Sequence, residues 1–252
     1  MDEEVKAKLR QWAKEYNEEG FIPHDPVQFP HRYAEKRDIE ISAFLTSWIS
    51  FGRREQILKK ANELHEAMDG SPQQWIMEGG YRAIPGEAKE PGGRDTFYRF
   101  YTYTHLRSLC ERLRSIYERH NSMEDALAES NLPNPIIKMQ EMFSGIEGIP
   151  TPGGTSACKR LAMFLRWMVR RDGIVDLGVW KTAIEPSELI IPLDTHVHQI
   201  SLELGLTSRR DASMKTAVEI TEALREVFPH DPCLGDFALF GYDINRGKQN
   251  GH

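Results

Sequence analysis

The sequence predicts an all-α fold, and three observations carry that prediction. Apolar residues recur at intervals of three and four through most of the chain. Capping signals bracket those stretches, with serine or aspartate before them, glycine after them and proline at the first helical position. No strand-rich region stands out between them.

Residues 2–19 read as an amphipathic helix, with Val5, Leu9, Trp12, Ala13 and Tyr16 on one stripe. A proline-rich loop, FIPHDPVQFPHRY, follows. Residues 38–51, DIEISAFLTSWISF, read as a buried helix that Asp38 caps and Gly52 ends. RREQILKKANELHEAM begins another helix, and Ser71-Pro72 opens a third. PGEAKEPGGRD, residues 85–95, is a loop by composition. A helix near 103–120 places Leu106, Leu109, Leu113, Ile116 and Tyr117 together. Residues 121–147 hold two short helical segments broken by LPNP. The turn GIEGIPTPGGTS then opens the helix ACKRLAMFLRWMVRRD. Residues 173–192 are less regular. A helix is expected from His196, with Val197, Ile200 and Leu204 on a shared face and Gly205 as its C-cap. Asp211 is expected to cap a long helix to about Phe228. DFALFGYDI closes the core, and the tail after Asn245 is expected to fray.

The chain of 252 residues, 40% of them hydrophobic, can bury one substantial core or two small ones. No apolar run reaches the ~18 residues of a membrane span, so no membrane partner is expected. The N-terminus is charged and lacks an apolar signal region, and a cytoplasmic location is expected. Cys110, Cys158 and Cys233 stand far apart and form neither an iron–sulfur nor a paired zinc spacing. The net charge of −6 argues against a coat of nucleic acid but leaves room for a local basic face.

Four constellations could carry chemistry. Between Gly153 and Arg171 there are five basic residues, Lys159, Arg160, Arg166, Arg170 and Arg171, and no acid. Glycines before a helix leave backbone N–H groups free for a phosphate, and the basic side chains beyond would reach neighbouring phosphates. The alternative is a helix with a solvated basic face. Asp194, after the run IIPL, stands at a helix N-terminus, where the dipole and capping N–H groups keep a carboxylate ionised. It serves there either as a cap or as a stabiliser of developing positive charge. Asp194, His196 and His198 would line one face of a strand as metal ligands, but a helix from His196 splits them, and no metal is expected. Ser156-Ala-Cys-Lys159 is a formal S-x-x-K without the S-D-N and K-T-G elements that serine β-lactam enzymes also need.

The order of these pieces resembles the helix-hairpin-helix DNA glycosylase superfamily, which includes endonuclease III and the 8-oxoguanine glycosylases. LDTHV at 193–197 matches the segment that carries the family's catalytic aspartate and places Asp194 on it. HQISLELGL resembles the helix that follows in the family, and DFALFGYDI sits where the family has its closing core helix. ISAFLTSWISFGRREQILKKANEL looks like the paired helices near the family's N-terminus. RWMVR and PLDTHV also resemble an uncharacterised bacterial branch related to these enzymes. The resemblance spans about residues 35–245.

TPGGTSACKRL departs from the family's usual hairpin sequence. Aligned on the apolar face of its helix, Lys159 takes the place of the Schiff-base lysine; aligned on the glycines, Ser156 does. The interval from Lys159 to Asp194 is similar to that of the archaeal 8-oxoguanine glycosylase branch. The C-terminal cysteine cluster of endonuclease III is missing, so no iron–sulfur cluster and no other cofactor is implied.

The resemblance implies two helical lobes, one from residues 1–35 plus about 150–252 and one from about 36–149, with a hairpin-type element in the first. It implies a monomeric enzyme that flips a damaged base out of duplex DNA into a pocket between the lobes. Asp194 would stabilise positive charge on the sugar, and Lys159 would attack C1′ to form a Schiff base that permits strand cleavage. Gly153, Gly154, Thr155 and Ser156 would hold a backbone phosphate, with Arg160, Arg166, Arg53 and Arg54 on neighbouring ones. Trp48, Trp167 or Trp180 would stack on the base, unless they are core residues. Two other readings stand beside this one: a catalytically silent DNA- or nucleotide-binding protein of the same fold, and a metal-dependent hydrolase.

Overall fold

A computed structural model describes residues 1–84 and 95–250; for 244, 245 and 247–250 it describes the backbone alone. The chain is mostly helical. Its helices are Glu3–Tyr16 (α1), Lys36–Ile49 (α2), Arg54–Ala67 (α3), Pro72–Glu78 (α4), Tyr103–Tyr117 (α5), Met123–Ala128 (α6), Pro135–Met142 (α7), Lys159–Val169 (α8), Thr195–Glu203 (α9), Met214–Arg225 (α10) and Gly235–Asn250 (α11). Strands Thr96–Tyr98 (β1) and Tyr101–Thr102 (β2) form an antiparallel hairpin, which the sequence reading did not expect. Strands this short offer too little alternation to be read. The expected loop at 85–95 lies outside the described residues apart from Asp95, whose carbonyl accepts from the Tyr103 N–H at 3.1 Å. No helix among the described residues is long and apolar enough to cross a membrane.

The chain divides into two compact units. The first comprises Met1–His24, Asn134–Ile136 and Gly153–His252; the second comprises Asp25–Pro133 and Ile137–Pro152. Residues 25–35, assigned from sequence to the first lobe, therefore fall in the second unit. Their apolar side chains explain this: Val27 and Phe29 are buried, and Phe29 stacks on His65 at 4.8 Å.

In the second unit α2 is buried almost all round, from Ile39 to Ile49. Its Glu40 is fully buried and accepts from the Tyr117 hydroxyl at 2.8 Å and the Met123 N–H at 2.9 Å, so the charge is compensated where it lies. Asp38 does not cap α2, whose N-cap is Glu35. It accepts from the Gln73 N–H at 2.7 Å and so caps α4, where Ser71 makes no side-chain cap bond. Trp48 stacks on Tyr101 with ring centroids 4.1 Å apart and donates from Nε1 to the Glu147 carbonyl at 2.8 Å.

In the first unit Leu9 and Ala13 of α1 join Ile191, Leu193, Ile200, Leu206, Ile220, Leu224 and Leu239 in one apolar core. Burying each large aliphatic side chain contributes about 2 kcal/mol before entropy is counted. Gly205 follows α9 at φ +69°, and the Leu206 N–H reaches back to the Ser201 carbonyl at 2.8 Å, a Schellman closure. Ser213, not Asp211, is the N-cap of α10; the Asp211 carbonyl instead accepts from the Thr216 hydroxyl at 2.6 Å. The helix at the C-terminus runs on to Asn250 rather than fraying after Asn245.

Candidate active site

The first helical residue of α8 and the N-cap of α9 meet. Lys159 Nζ lies 2.9 Å from Asp194 Oδ2, with the two side chains 38% and 32% exposed. The other carboxylate oxygen of Asp194 accepts from the Val197 N–H at 2.9 Å, and the Asp194 carbonyl accepts from the His198 N–H at 2.9 Å. The run Ile191-Pro192-Leu193 is buried and delivers Asp194 to the helix mouth as a half-exposed group. Burial alone would raise this carboxyl. The Lys159 ammonium and the Val197 N–H outweigh it, and Asp194 sits below the ordinary carboxylate range.

Lys159 owes its position to an unusual helix start. Cys158, the N-cap of α8, adopts the left-handed conformation at φ +51° and ψ +36°. Its N–H donates to the Ser156 hydroxyl at 3.1 Å. Ser156 also forms an isolated bridge with Ser213, and the Met214 N–H donates to the Thr155 carbonyl at 3.3 Å. The loop is thereby pinned to the start of α10. Gly153, Gly154, Thr155 and Ser156 are all exposed, with Gly153 at φ +79°. Arg160 is half-buried beside Lys159 in sequence.

The rest of the basic helix departs from the sequence reading. Arg166 is 4% exposed and Arg170 1%. Arg166 pairs with Asp236, and its Nε lies 3.3 Å from Asp176 Oδ1. Arg170 pairs with Asp176, with Asp172 at 2.8 Å and with Asp231 at 2.9 Å. Burial works to lower the Arg170 guanidinium's affinity for its proton, but the three aspartates raise it above the ordinary value. Arg166 thus cannot reach a phosphate from where it lies, and α8 has no continuous solvated basic face. Of the acids that compensate it, Asp236 lies 70 positions along the chain and Asp176 in the irregular segment just after α8, and both escaped the sequence reading.

Asp236, in the first turn of α11, also bears on the Lys159–Asp194 pair. Burial raises its carboxyl to about 6; Arg166 opposes the rise, and the neighbouring charge of Asp194 adds to it. An acid at the head of the apolar run Phe237-Ala238-Leu239-Phe240 was the available signal.

Trp48, Trp167 and Trp180 are each 0–1% exposed, so none presents a ring face to solvent. All three are core residues. Arg53 and Arg54 are exposed at the start of α3, in the second unit. His196 is exposed on α9, and His198 Nε2 bonds the Arg209 carbonyl at 2.8 Å. Among the described residues no group of three histidines, cysteines or carboxylates could hold a metal ion. Cys158 and Cys233 are buried, and burial pushes both thiols up.

An amine and an ionised carboxylate in contact at an accessible point can bind an anion–cation pair, shuttle a proton or, with the amine freed, attack an electrophilic carbon. No curated protein and no solved structure matches the chain. A family model described as "protein of unknown function (DUF2400)" matches residues 25–245, and the chain belongs to that family.

Proposed function

We propose that this protein is a DNA base-excision glycosylase with AP lyase activity, built on the helix-hairpin-helix glycosylase plan. The observation that carries the reading is the contact between Lys159 Nζ and Asp194 Oδ2 at 2.9 Å. The resemblance to the glycosylase superfamily had placed Asp194 on the aspartate and, by one of two alignments, Lys159 on the lysine, the other alignment placing Ser156 there. Their accessibility, and the exposed Gly153–Ser156 loop that leads into α8, support it further.

The chemistry follows from the pair. In the ion pair Lys159 is an ammonium and not a nucleophile. When a damaged nucleotide enters, the ammonium gives its proton to the departing base, and the bonding electrons of the glycosidic C–N bond leave with that base. The Asp194 carboxylate, kept ionised, stabilises the sugar cation. The freed lysine amine then attacks C1′; one of its protons passes to the ring oxygen as the sugar opens, giving the protonated Schiff base, and loss of a C2′ proton to water expels the 3′ phosphate. Phosphates flanking the lesion are held by the N–H groups of the Gly153–Ser156 loop and by Arg160.

Borohydride trapping on oligonucleotides carrying oxidised bases or an abasic site tests this. The wild type should form a covalent adduct and Lys159→Gln should form none; Asp194→Asn should slow base release by roughly 100-fold or more. No adduct and no base release across the lesion panel, or an adduct that survives Lys159→Gln, would overturn the reading. DNA binding without either activity would favour a silent binding protein in which the pair only joins α8 to α9.

A further inference from the structure

We propose that the second unit carries a separate site for single-stranded nucleic acid, in the groove between α3 and the β1–β2 hairpin. The groove has a volume of about 710 Å³, and its lining includes Lys59, Lys60 and Glu63 of α3 with Phe97, Arg99 and Phe100 of the hairpin. Phe100 sits at the hairpin tip and is 60% exposed, the highest value among the exposed large apolar side chains of the described residues. An aromatic ring left in water at the edge of a groove is a stacking surface in search of a flat partner.

The tip is packed beneath that ring. Phe100 packs on Phe51 at 4.9 Å and on Tyr101 at 4.9 Å, and Tyr101 stacks on the buried Trp48 at 4.1 Å. The Tyr98 hydroxyl donates to the Phe51 carbonyl at 2.6 Å. Arg99 takes the left-handed conformation at φ +53°, which side chains disfavour, and its guanidinium lies over the Phe51 ring, 5.8 Å from the centroid.

Charge selects the partner. Lys60 is matched by Glu63 at 2.5 Å. Lys59 and Arg99 are exposed and make no ion pair among the described residues. Two unmatched cations around an open aromatic face fit a chain that alternates phosphates with flat rings. Bases offer both faces only when they are not stacked in a duplex, so the fitting form is a single strand. The site is independent of the Lys159–Asp194 chemistry, and a Lys159→Gln protein should retain it.

Fluorescence anisotropy of labelled (dT)8 at low salt, with the full chain, tests the proposal against an abasic octamer and a blunt duplex. Phe100→Ala should weaken (dT)8 binding by roughly 5- to 150-fold, the range for one lost base–aromatic stack, and Phe100→Trp should restore it. The abasic octamer, which offers no ring, should bind wild type and Phe100→Ala alike. Lys59→Gln should weaken both ligands and reduce the salt slope of (dT)8 binding by about 0.7. Unchanged (dT)8 affinity in Phe100→Ala, equal losses for (dT)8 and the abasic octamer, tighter binding of the duplex, or no binding by wild type would each overturn it. Loss of (dT)8 binding in Lys159→Gln would also overturn it, by placing the strand at the other site.

Discussion

Asp194 divides its two carboxylate oxygens between two helices: Oδ1 accepts from the Val197 N–H of α9 at 2.9 Å, and Oδ2 meets Lys159 Nζ of α8 at 2.9 Å. Substitutions can separate the roles. Asparagine keeps an N-cap oxygen but loses the charge, whereas alanine loses both. The ion pair is about a third exposed and is worth at most ~1 kcal/mol. Asp194→Ala should therefore be less stable than Asp194→Asn by about 1 kcal/mol in urea denaturation. Equal stabilities would show that the cap contributes nothing.

The same pair sets a pH response. Burial pushes the Asp194 carboxyl up, but Lys159 and the Val197 N–H prevail and hold it below its ordinary value of 3.8. A lowered folded-state value means that the stabilisation is present above the unfolded carboxyl's range and is lost as pH falls through the folded one. Lys159→Met removes the largest opposing charge, so the Asp194 carboxyl should then titrate at higher pH than in wild type. Carboxyl carbon NMR reads this directly, and an unmoved titration would mean that the contact at 2.9 Å is not kept in solution.

Arg170 illustrates how a residue type can mislead. It is 1% exposed and is held by Asp172, Asp176 and Asp231. Arg170→Met should lower stability by about 3–5 kcal/mol, because Asp176 would be left buried with only the longer Arg166 contact at 3.3 Å. Chemical denaturation measures the loss. A variant as stable as wild type would show that Asp176 is solvated or protonated when the arginine is gone.

Most of the helical framework was legible because it depends on spacing. The stripe Leu106, Leu109, Leu113, Ile116 names the buried face of α5, and Gly205 names the end of α9. Asp194 was singled out by a local motif, and Lys159, with Ser156 as the alternative, by its place at a helix start. What could not be read was the partner of each charge. Whether Arg166 faces solvent or Asp236 depends on chain segments that the sequence brings no closer than 70 positions. Capping failed for a related reason: Asp38 lies where a local cap would, yet it serves Gln73, on another helix. The hairpin at Thr96–Thr102 failed for brevity, and the three tryptophans because ring chemistry does not distinguish a core from a stacking face.

Gly178 marks where the irregular segment after α8 closes on its end. The Leu177 and Gly178 N–H groups donate to the Trp167 carbonyl at 2.9 and 3.1 Å. Gly178 has φ +56°, and a Cβ there would stand 2.5 Å from the Arg170 carbonyl oxygen. Backbone cannot retreat as a side-chain tip can. Gly178→Ala should cost more than the ~1 kcal/mol of the left-handed conformation alone. Gly173→Ala is the control, since it has φ +69° with nothing near its Cβ position. Equal losses in thermal denaturation would remove the steric argument.

His65 and Asp236 give opposite pH terms over one interval. His65 is 4% exposed; its Nδ1 bonds the Ala61 carbonyl at 2.7 Å and its Nε2 bonds the Ser42 hydroxyl at 2.7 Å, the pattern of a neutral imidazole. Burial lowers it from 6.5 to about 4, so its share of stability is present above pH 6.5 and is lost as pH falls towards 4, by up to about 3 kcal/mol. Burial raises Asp236 from 3.8 to about 6, so its share is present below the ordinary value and is lost as pH rises through 6. The two slopes offset each other between pH 4 and 6. Asp236→Asn removes only the second. Its stability, followed by urea midpoints at successive pH values across that interval, should fall more steeply on acidification than that of wild type. His65→Gln should show the reverse, with stability rising as pH falls. Parallel curves for wild type and Asp236→Asn would mean that Asp236 titrates as an ordinary carboxyl.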